Sequence, residues 1–170
     1  MEPGAFIGLN PGATYGSSKR WFPERFAQVA DGLMARTGMK TIIFGGPGER
    51  QIAEEIKHEM QGTAIVVAGE TSVRQLMALI SVTGLFITND SGPMHIGAAF
   101  NRPLVALFGS TSPEATGPYS ERSRVVRATG PDCTPCFHRE CRRYDLECMN
   151  TIMPRDVIEA AMDVYNEGRE

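Results

Sequence analysis

The chain lacks the features that mark three classes of protein. Its 170 residues include 17 Lys and Arg against 20 Asp and Glu, and the net charge of −3 does not favour binding to nucleic acid. No apolar run approaches the roughly 20 residues of a membrane span, and the N-terminus lacks the charged-then-apolar pattern of a signal peptide. We therefore expect a cytoplasmic protein that binds no nucleic acid.

Two common nucleotide-binding fingerprints are also missing. The loop 10–21 contains Gly12 and Gly16, but not the GxxxxGK[ST] spacing of a Walker A loop. The loop 45–50 holds three glycines, but not the GxGxxG spacing of a dinucleotide fingerprint. These absences exclude the most familiar phosphate-binding loops and leave open a phosphate site of another design.

Short apolar runs alternate with helical patterns along the chain, which predicts an α/β fold. The composition, 42% apolar and 22% charged, is ordinary for one globular domain spanning residues 1–170. Strands are expected at 5–9, 41–44, 64–67, 85–88, 104–108 and 125–127. Helices are expected from Pro23, around 52–60, after a capping box of Ser72 with Gln75, over 93–100 and after Pro154. The alternation predicts a Rossmann-like parallel sheet with helices on both faces.

The segment 85–99 is the most informative part of the chain. It reads as a buried strand, a polar turn containing Asp90, and the first turns of a helix that carries His95. A helix that starts this way presents backbone N–H groups and the positive end of its dipole, which is where α/β proteins hold phosphates. Asp90 would lie at the carboxyl end of its strand, where open α/β sheets bind ligands. The segment therefore predicts a phosphorylated, nucleotide-linked ligand.

Other polar loops follow successive strands and would meet at the same edge of the sheet. Lys19 could reach the ligand's phosphates, and Glu49 could accept hydrogen bonds from ribose hydroxyls. His95 could donate to a phosphate or support Asp90. Backbone groups of the loop 68–72 could meet a base edge. Each has a plainer alternative: a solvated lysine, an acid that stabilises a helix start, a structural histidine and a simple helix cap.

The region 130–150 contains all four cysteines and reads as an irregular insertion. Cys133, Cys136, Cys141 and Cys148 follow the spacing C-x2-C-x4-C-x6-C, which is compatible with a structural zinc ion. Such a metal would staple the insertion and take no part in catalysis. The alternative is four reduced thiols, since disulfides are disfavoured in the cytoplasm.

With these motifs in view, the chain resembles the C-terminal domain of the family 9 glycosyltransferases over nearly its whole length. The segment 88–95, Thr-Asn-Asp-Ser-Gly-Pro-Met-His, carries the resemblance most specifically. Weaker matches are the stretches 10–13, 19–21, 44–46, 108–111 and 148–150. The resemblance implies the C-terminal half of a GT-B fold, which is made of two Rossmann-like domains that face a cleft.

The resemblance also implies the roles of individual residues. Lys19 would contact phosphate, Asp90 would hold sugar hydroxyls, and Thr14 and Glu49 match positions near the phosphates and the ribose. The phosphate cradle would consist of the backbone amides around Ser91, Gly92, Pro93, Met94 and His95. The base pocket would be lined by Gly69, Glu70 and Thr71.

The resemblance implies an inverting transferase that moves heptose from ADP-heptose to the inner core of lipopolysaccharide without a required cofactor. The family's acceptor-binding N-terminal domain, with its catalytic carboxylate, is not among these residues. We therefore expect the chain to bind donor but to hold no catalytic residue and transfer no sugar. The full-length enzyme could associate peripherally with the inner face of the inner membrane. Three alternatives remain: a stand-alone nucleotide-binding module, half of a nucleotide-sugar epimerase, and a zinc-stabilised interaction domain.

Overall fold

The computed structural model describes residues 4–167, and within them six strands form one parallel sheet. The order across the sheet is β3-β2-β1-β4-β5-β6, that of a Rossmann fold. The strands are β1 (Phe6–Asn10), β2 (Lys40–Ile43), β3 (Ala64–Val66), β4 (Leu85–Asn89), β5 (Leu104–Phe108) and β6 (Ser123–Arg127). The predicted fold class is therefore observed, whereas the predicted domain limits, 1 and 170, lie outside the described residues.

Helices cover both faces of the sheet. The helices of the described range are α1 (Pro23–Thr37), α2 (Arg50–Glu59), α3 (Val73–Ser81), α4 (Gly92–Ala99), α5 (Pro113–Thr116), α6 (Glu147–Asn150) and α7 (Pro154–Asn166). Helices α1, α2 and α7 bury apolar side chains on one face, and α3 and α4 do so on the other. None of the helices in this range is long and apolar enough to cross a membrane.

The apolar strands are buried because both faces of the sheet are covered. All five residues of β1, β4 and β5 are buried, as expected for central strands of a parallel sheet. Successive side chains point to opposite faces: Ile7 joins the core under α1, whereas Phe6 joins the core under α3 and α4. A side chain on Gly8 would collide with the rings of Phe44 and Phe86, each 2.8 Å from the position of a Cβ. Glycine therefore lets these two rings meet edge to face beneath β1.

The predicted elements are confirmed with small shifts at their ends. The largest shift is in β6, which begins at Ser123 because this polar residue already pairs with Leu104 of β5. Helix α4 starts one residue earlier than expected, at Gly92. The predicted capping box of α3 is present, with the side chains of Ser72 and Gln75 bound to each other's backbone N–H groups. Residues 130–146 form neither helix nor strand, as expected for an irregular insertion, whereas the last four residues of the predicted region 130–150 form α6.

The sheet topology creates a crevice between β1 and β4. β1 pairs with β2 on one side and with β4 on the other. The connections that leave β1 and β4 therefore run to opposite sides, and their loops separate at the carboxyl ends of the two strands. Crevices at such a switch point are the usual ligand sites of open α/β sheets. The loop 10–21 and the start of α4 both lie at this point.

Candidate functional site

The carboxyl ends of β1 and β4 are joined by amide side chains. Asn10 donates to Thr88 Oγ1 at 3.3 Å and to Ser91 Oγ at 3.0 Å. Asn89 donates to the carbonyl of Pro11 at 2.7 Å and accepts from the N–H of Trp21 at 3.3 Å. The loop after β1 is thus fixed at both of its ends to β4 and the turn that follows it.

A buried ion pair lies at the centre of this crevice. The ammonium nitrogen of Lys19 is 2.5 Å from Oδ2 of Asp90, and their side chains are 10% and 4% exposed. The same oxygen accepts hydrogen bonds from Thr111 at 2.6 Å and from Thr116 at 3.3 Å. The Lys19 ammonium also lies 4.7 Å from the centre of the Tyr15 ring. The positive charge of Lys19 is therefore neutralised by the Asp90 carboxylate within the crevice.

Helix α4 points its N-terminus into the crevice. Ser91 precedes the helix and its side chain makes no capping hydrogen bond to the first turn, because its hydroxyl accepts from Asn10 instead. Proline at the second position has no N–H to satisfy. The positive end of the helix dipole is thus directed at the ion pair, which suits an anionic ligand.

Two adjacent cavities open beside the ion pair. The large cavity, about 520 Å³, lies among the loops that follow β1, β2, β3 and β4. The small cavity, about 260 Å³, is lined by Thr14, Tyr15, Lys19, Asp90, Ser91, Gly92, His95 and Thr116. Thr14 and Ser91 line both, so the cavities meet between these two residues. The large cavity is within the size range of small-molecule sites.

Glu49 lies at the wall of the large cavity. Its Oε2 accepts a hydrogen bond from the N–H of Gly46 at 2.8 Å and so closes the short turn Pro47–Glu49. The carboxylate lies directly over Gly12, since a Cβ there would be 2.0 Å from Oε1. Oε1 can therefore accept a hydrogen bond from a ligand while Oε2 stabilises the loop.

The structure brings most of the predicted site residues together. Glu49, Thr71 and Pro93 line the large cavity, Lys19, Asp90, Gly92 and His95 line the small one, and Thr14 and Ser91 line both. His95 is exposed at the edge of the small cavity. These residues come from the loops after four different strands, as the sequence predicts for a site at one edge of the sheet.

Three predicted residues lie elsewhere. The Met94 side chain is fully buried in the core under α4 and its N–H is bound to the carbonyl of Ser91, so neither faces a cavity. Glu70 forms an exposed ion pair with Arg50 at 2.7 Å. Gly69 has a φ of +78° and packs against Pro47 behind the large cavity. Of the loop after β3, Thr71 alone among the described residues lines that cavity.

The cavities also contain residues that the sequence analysis did not single out. Asn10 and Arg20 line the large cavity, and Tyr15 and Thr116 line the small one. Arg20 directly follows Lys19, and Thr116 ends α5 in the segment 109–118, which follows β5 and is rich in serine and threonine. The positions of Arg20 and Thr116 in the sequence could therefore have identified them as candidates. No local sequence feature indicates that Tyr15 would stack beside Lys19.

The four cysteines are reduced and differ in exposure. Cys133 is exposed, Cys136 and Cys141 are partly buried, and Cys148 is buried. Burial raises the pKa of the Cys148 thiol from 9.0 to about 11. Within residues 4–167, no three His, Cys, Asp or Glu side chains are grouped so that they could hold a metal ion. The zinc site suggested by the spacing stays a prediction.

Comparison with known proteins gives consistent matches. The sequence model of glycosyltransferase family 9 (heptosyltransferase) matches residues 3–146. Lipooligosaccharide heptosyltransferase 2 of Campylobacter jejuni is 36% identical over 166 residues, which cover 95% of this chain and 51% of that relative. The structure of E. coli ADP-heptose lps heptosyltransferase II superposes with a TM-score of 0.83 at 32% identity, over 99% of this chain and 48% of that one.

A more distant structure, E. coli heptosyltransferase WaaC with ADP, superposes with a TM-score of 0.77 at 19% identity, over 96% of this chain and 45% of that one. Together, the structural matches confirm the predicted fold class, half of a GT-B heptosyltransferase. The chain spans about half the length of the Campylobacter relative.

Proposed function

The chain belongs to glycosyltransferase family 9, the heptosyltransferases, and we propose that it is the domain that binds the nucleotide-sugar donor. The observation that carries this proposal is the buried pair of Lys19 and Asp90 at the N-terminus of α4. A cation and a helix dipole that converge on one crevice suit a diphosphate. A carboxylate beside them suits the hydroxyl groups of a sugar.

The two cavities suggest how the donor lies. The nucleoside would occupy the large cavity, with its ribose beside Glu49. The diphosphate would cross between Thr14 and Ser91, which line both cavities, and so pass the N-terminus of α4. The sugar would then enter the small cavity beside Asp90. This placement puts the bond that breaks, between the sugar and the diphosphate, next to Lys19.

The chemistry that these residues contribute is charge stabilisation. In an inverting transfer, the acceptor oxygen bonds to the anomeric carbon while the bond from that carbon to the diphosphate breaks, and a base takes the acceptor proton. Negative charge develops on the departing phosphate oxygen. Lys19 can donate one ammonium proton to that oxygen while it keeps another on Asp90, and the N-terminus of α4 adds its dipole.

The relatives support a proposal for the donor and the acceptor. Related proteins include E. coli heptosyltransferase WaaC, whose structure was determined with ADP, and lipopolysaccharide heptosyltransferase 2 of the same species. We infer that this chain binds ADP-heptose and serves transfer to the inner core of lipopolysaccharide, at the cytoplasmic side of the membrane. Because the chain spans about half of its Campylobacter relative, the acceptor site and catalytic base are expected on the rest of such an enzyme. These 170 residues alone would then bind donor without transferring sugar.

Calorimetric titration with ADP, UDP, GDP and ADP-heptose tests the proposal. We expect selective binding of ADP, weakened about tenfold or more in Lys19→Ala because a charge-assisted contact to phosphate is lost. Asp90→Ala should weaken the binding of ADP-heptose more than the binding of ADP, because the carboxylate would contact the sugar. Lys40→Ala is the matched control, since Lys40 is exposed at the start of β2, at the opposite edge of the sheet.

Two results would contradict the proposal. One is a folded wild-type chain that binds no nucleotide either alone or as part of a two-domain enzyme. The other is ADP binding that Lys19→Ala weakens no more than Lys40→Ala does, which would place the ligand away from the ion pair.

A further inference from the structure

We propose that residues 136–139 of the cysteine-rich insertion position the phosphate-binding lysine, acting through Ser18, Ser110 and Gly16. This inference rests on the proposed function, because it concerns how Lys19 meets the donor's diphosphate. It gives the insertion a role in ligand binding although the described structure places none of the insertion's residues in the lining of either cavity. Residues 136–139 are called the clamp below.

Ser18 links the loop 10–21, which carries Lys19, to the clamp. This serine precedes Lys19 and is 1% exposed. Its hydroxyl donates to the carbonyl of His138 and lies 3.1 Å from the hydroxyl of Ser110. Its backbone N–H donates to the carbonyl of Arg139 at 3.1 Å. Side chain and backbone of one residue are thus both bound to the clamp, in a place that water hardly reaches.

Ser110 ties the clamp to the other half of the ion pair. Its carbonyl accepts from the N–H groups of Cys136 at 3.1 Å and Phe137 at 2.8 Å. The next residue, Thr111, donates to Asp90 Oδ2 at 2.6 Å. The clamp therefore reaches Lys19 through Ser18 and Asp90 through Ser110 and Thr111, so it fixes both members of the pair relative to each other.

Tyr15 supplies a further link. Its hydroxyl donates to the carbonyl of Phe137 at 2.7 Å. Its ring lies 4.7 Å from the ammonium of Lys19 and 5.4 Å from the guanidinium carbon of Arg139. A ring held between these two cations limits where the Lys19 ammonium can move.

Gly16 shows how closely the clamp and the loop approach. Its φ of 166° is extended backbone that any residue could adopt. A Cβ at this position, however, would lie 2.1 Å from the carbonyl oxygen of Arg139, which belongs to the backbone and cannot rotate away. Glycine is therefore required by the contact itself, and Gly16→Ala should push the clamp away from the loop.

The contacts predict a selective effect on ligand binding. Gly16, Ser18 and Ser110 do not line either cavity within the described part of the chain. Loosening the clamp should therefore leave the nucleoside site intact and disturb the phosphate site, chiefly through the position of Lys19. A general loss of stability would instead weaken all ligands together.

Chemical-shift titration by NMR with ADP and with adenosine tests the clamp, since it measures weak binding and reports on folding in the same spectra. In Gly16→Ala, we expect the affinity for ADP to fall about tenfold, the scale of one charge-assisted contact, and the affinity for adenosine to stay within about twofold of wild type. Ser18→Ala should show the same selectivity with a smaller loss. Ser81→Ala is the control, because the hydroxyl of Ser81 makes an exposed, local hydrogen bond to the carbonyl of Ala78 in α3.

A double-mutant cycle distinguishes an effect that acts through Lys19 from a general loss of structure. If Gly16 acts through Lys19, the loss of ADP affinity caused by Gly16→Ala should disappear in a Lys19→Ala background. Should Gly16→Ala fail to fold, Ser18→Ala and Tyr15→Phe, which keeps the ring over Lys19, enter the same cycle.

The outcomes separate the two proposals. A folded wild-type chain that binds no ADP, either alone or as part of a two-domain enzyme, would overturn the proposed function and the clamp with it. A wild-type chain that binds ADP, with clamp variants that bind ADP equally well or lose ADP and adenosine to the same extent, would overturn the clamp alone.

Discussion

The ammonium of Lys19 lies 2.5 Å from the carboxylate of Asp90, although 71 positions of sequence separate the two residues. The pair joins the loop after β1 to the turn after β4 across the switch point of the sheet. Because both side chains are almost fully buried, each charge depends on the other for its stability. The lysine is thus held at the wall of the small cavity without leaving an unpaired buried charge.

This relationship predicts a large loss of stability when one partner is removed. Breaking a buried ion pair typically costs about 3–5 kcal/mol, because the remaining charge is left uncompensated. We expect Lys19→Met to lower the free energy of unfolding by about 3 kcal/mol, at the low end of this range, because the hydroxyls of Thr111 and Thr116 still donate to Asp90. Urea denaturation followed by circular dichroism measures the change.

The double variant Lys19→Met/Asp90→Asn is the decisive comparison. Since it removes both charges, it should be more stable than Lys19→Met alone. Lys40→Met, at an exposed position, should change the free energy of unfolding by no more than about 0.5 kcal/mol. Two single losses that simply add in the double variant would mean that the two charges do not depend on each other.

Glu49 gives a prediction about the nucleoside. If its carboxylate binds the ribose hydroxyls, Glu49→Gln should weaken adenosine and ADP by the same factor, about five- to tenfold, because one hydrogen-bond acceptor becomes a donor. Lys19→Ala should instead weaken ADP alone. Glu55→Gln is a matched control, since Glu55 is exposed on α2 and bonds to Gln51.

The same titration with 2′-deoxyadenosine identifies the contact. Wild type should prefer adenosine over 2′-deoxyadenosine, and Glu49→Gln should lose this preference. A variant that keeps the full preference would assign Glu49 only to the turn that it closes through Gly46.

Local patterns were sufficient for most of the fold. The six strands and the capping box of Ser72 with Gln75 depend on residues close in sequence, so their pattern is visible without tertiary structure. Asp90 and Lys19 could be singled out because a polar turn after a buried strand, and a lysine in a neighbouring strand's loop, must meet at one edge of the sheet.

Met94 shows where local reading ends. Helix α4 consists almost entirely of apolar and small residues, so its sequence does not tell which face is buried. The resemblance placed only the backbone amide of Met94 in the phosphate cradle, and the burial of its side chain in the core could not be read from this sequence. The clamp was equally invisible, since the bond from Tyr15 to Phe137 joins residues 122 positions apart. Such contacts follow from the packing of an irregular loop, for which the sequence offers no periodic signal.

Cys148 predicts a distinct pH dependence of alkylation. Burial raises the pKa of its thiol from 9.0 to about 11, and the thiolate is the reactive form. Its thiolate fraction at pH 8 is therefore about a hundredfold smaller than that of an ordinary thiol. Its alkylation rate should keep rising up to about pH 11, whereas the rate of a small-molecule thiol levels off near pH 9. Mass spectrometry after iodoacetamide treatment resolves each cysteine, and a rate for Cys148 that levels off near pH 9 would contradict the prediction.

The same experiment tests the zinc site suggested by the cysteine spacing. If Cys133, Cys136, Cys141 and Cys148 bind zinc, the purified chain should contain one zinc ion per molecule and all four thiols should be protected until a chelator is added. The exposed Cys133 is the sensitive reporter, since its free thiol is open to the reagent in the absence of metal. Equal alkylation of Cys133 with and without zinc would exclude the site.

The packing of Trp21 predicts how strongly the loop 10–21, which carries Lys19, depends on the core beneath it. Its ring is 1% exposed and packs edge to face on Phe26 at 5.2 Å, and its indole N–H donates to the carbonyl of Ile152 at 3.2 Å. Trp21→Phe should lower the free energy of unfolding by about 2 kcal/mol, from a lost hydrogen bond and a small cavity. The cost stays moderate because Arg25 still donates to the Ile152 carbonyl at 2.7 Å. Circular dichroism in urea measures this change in the free energy of unfolding, with Tyr119→Leu, at a fully exposed position, as the control. Equal stability of the two variants would mean that the loop is held by its hydrogen bonds and not by Trp21.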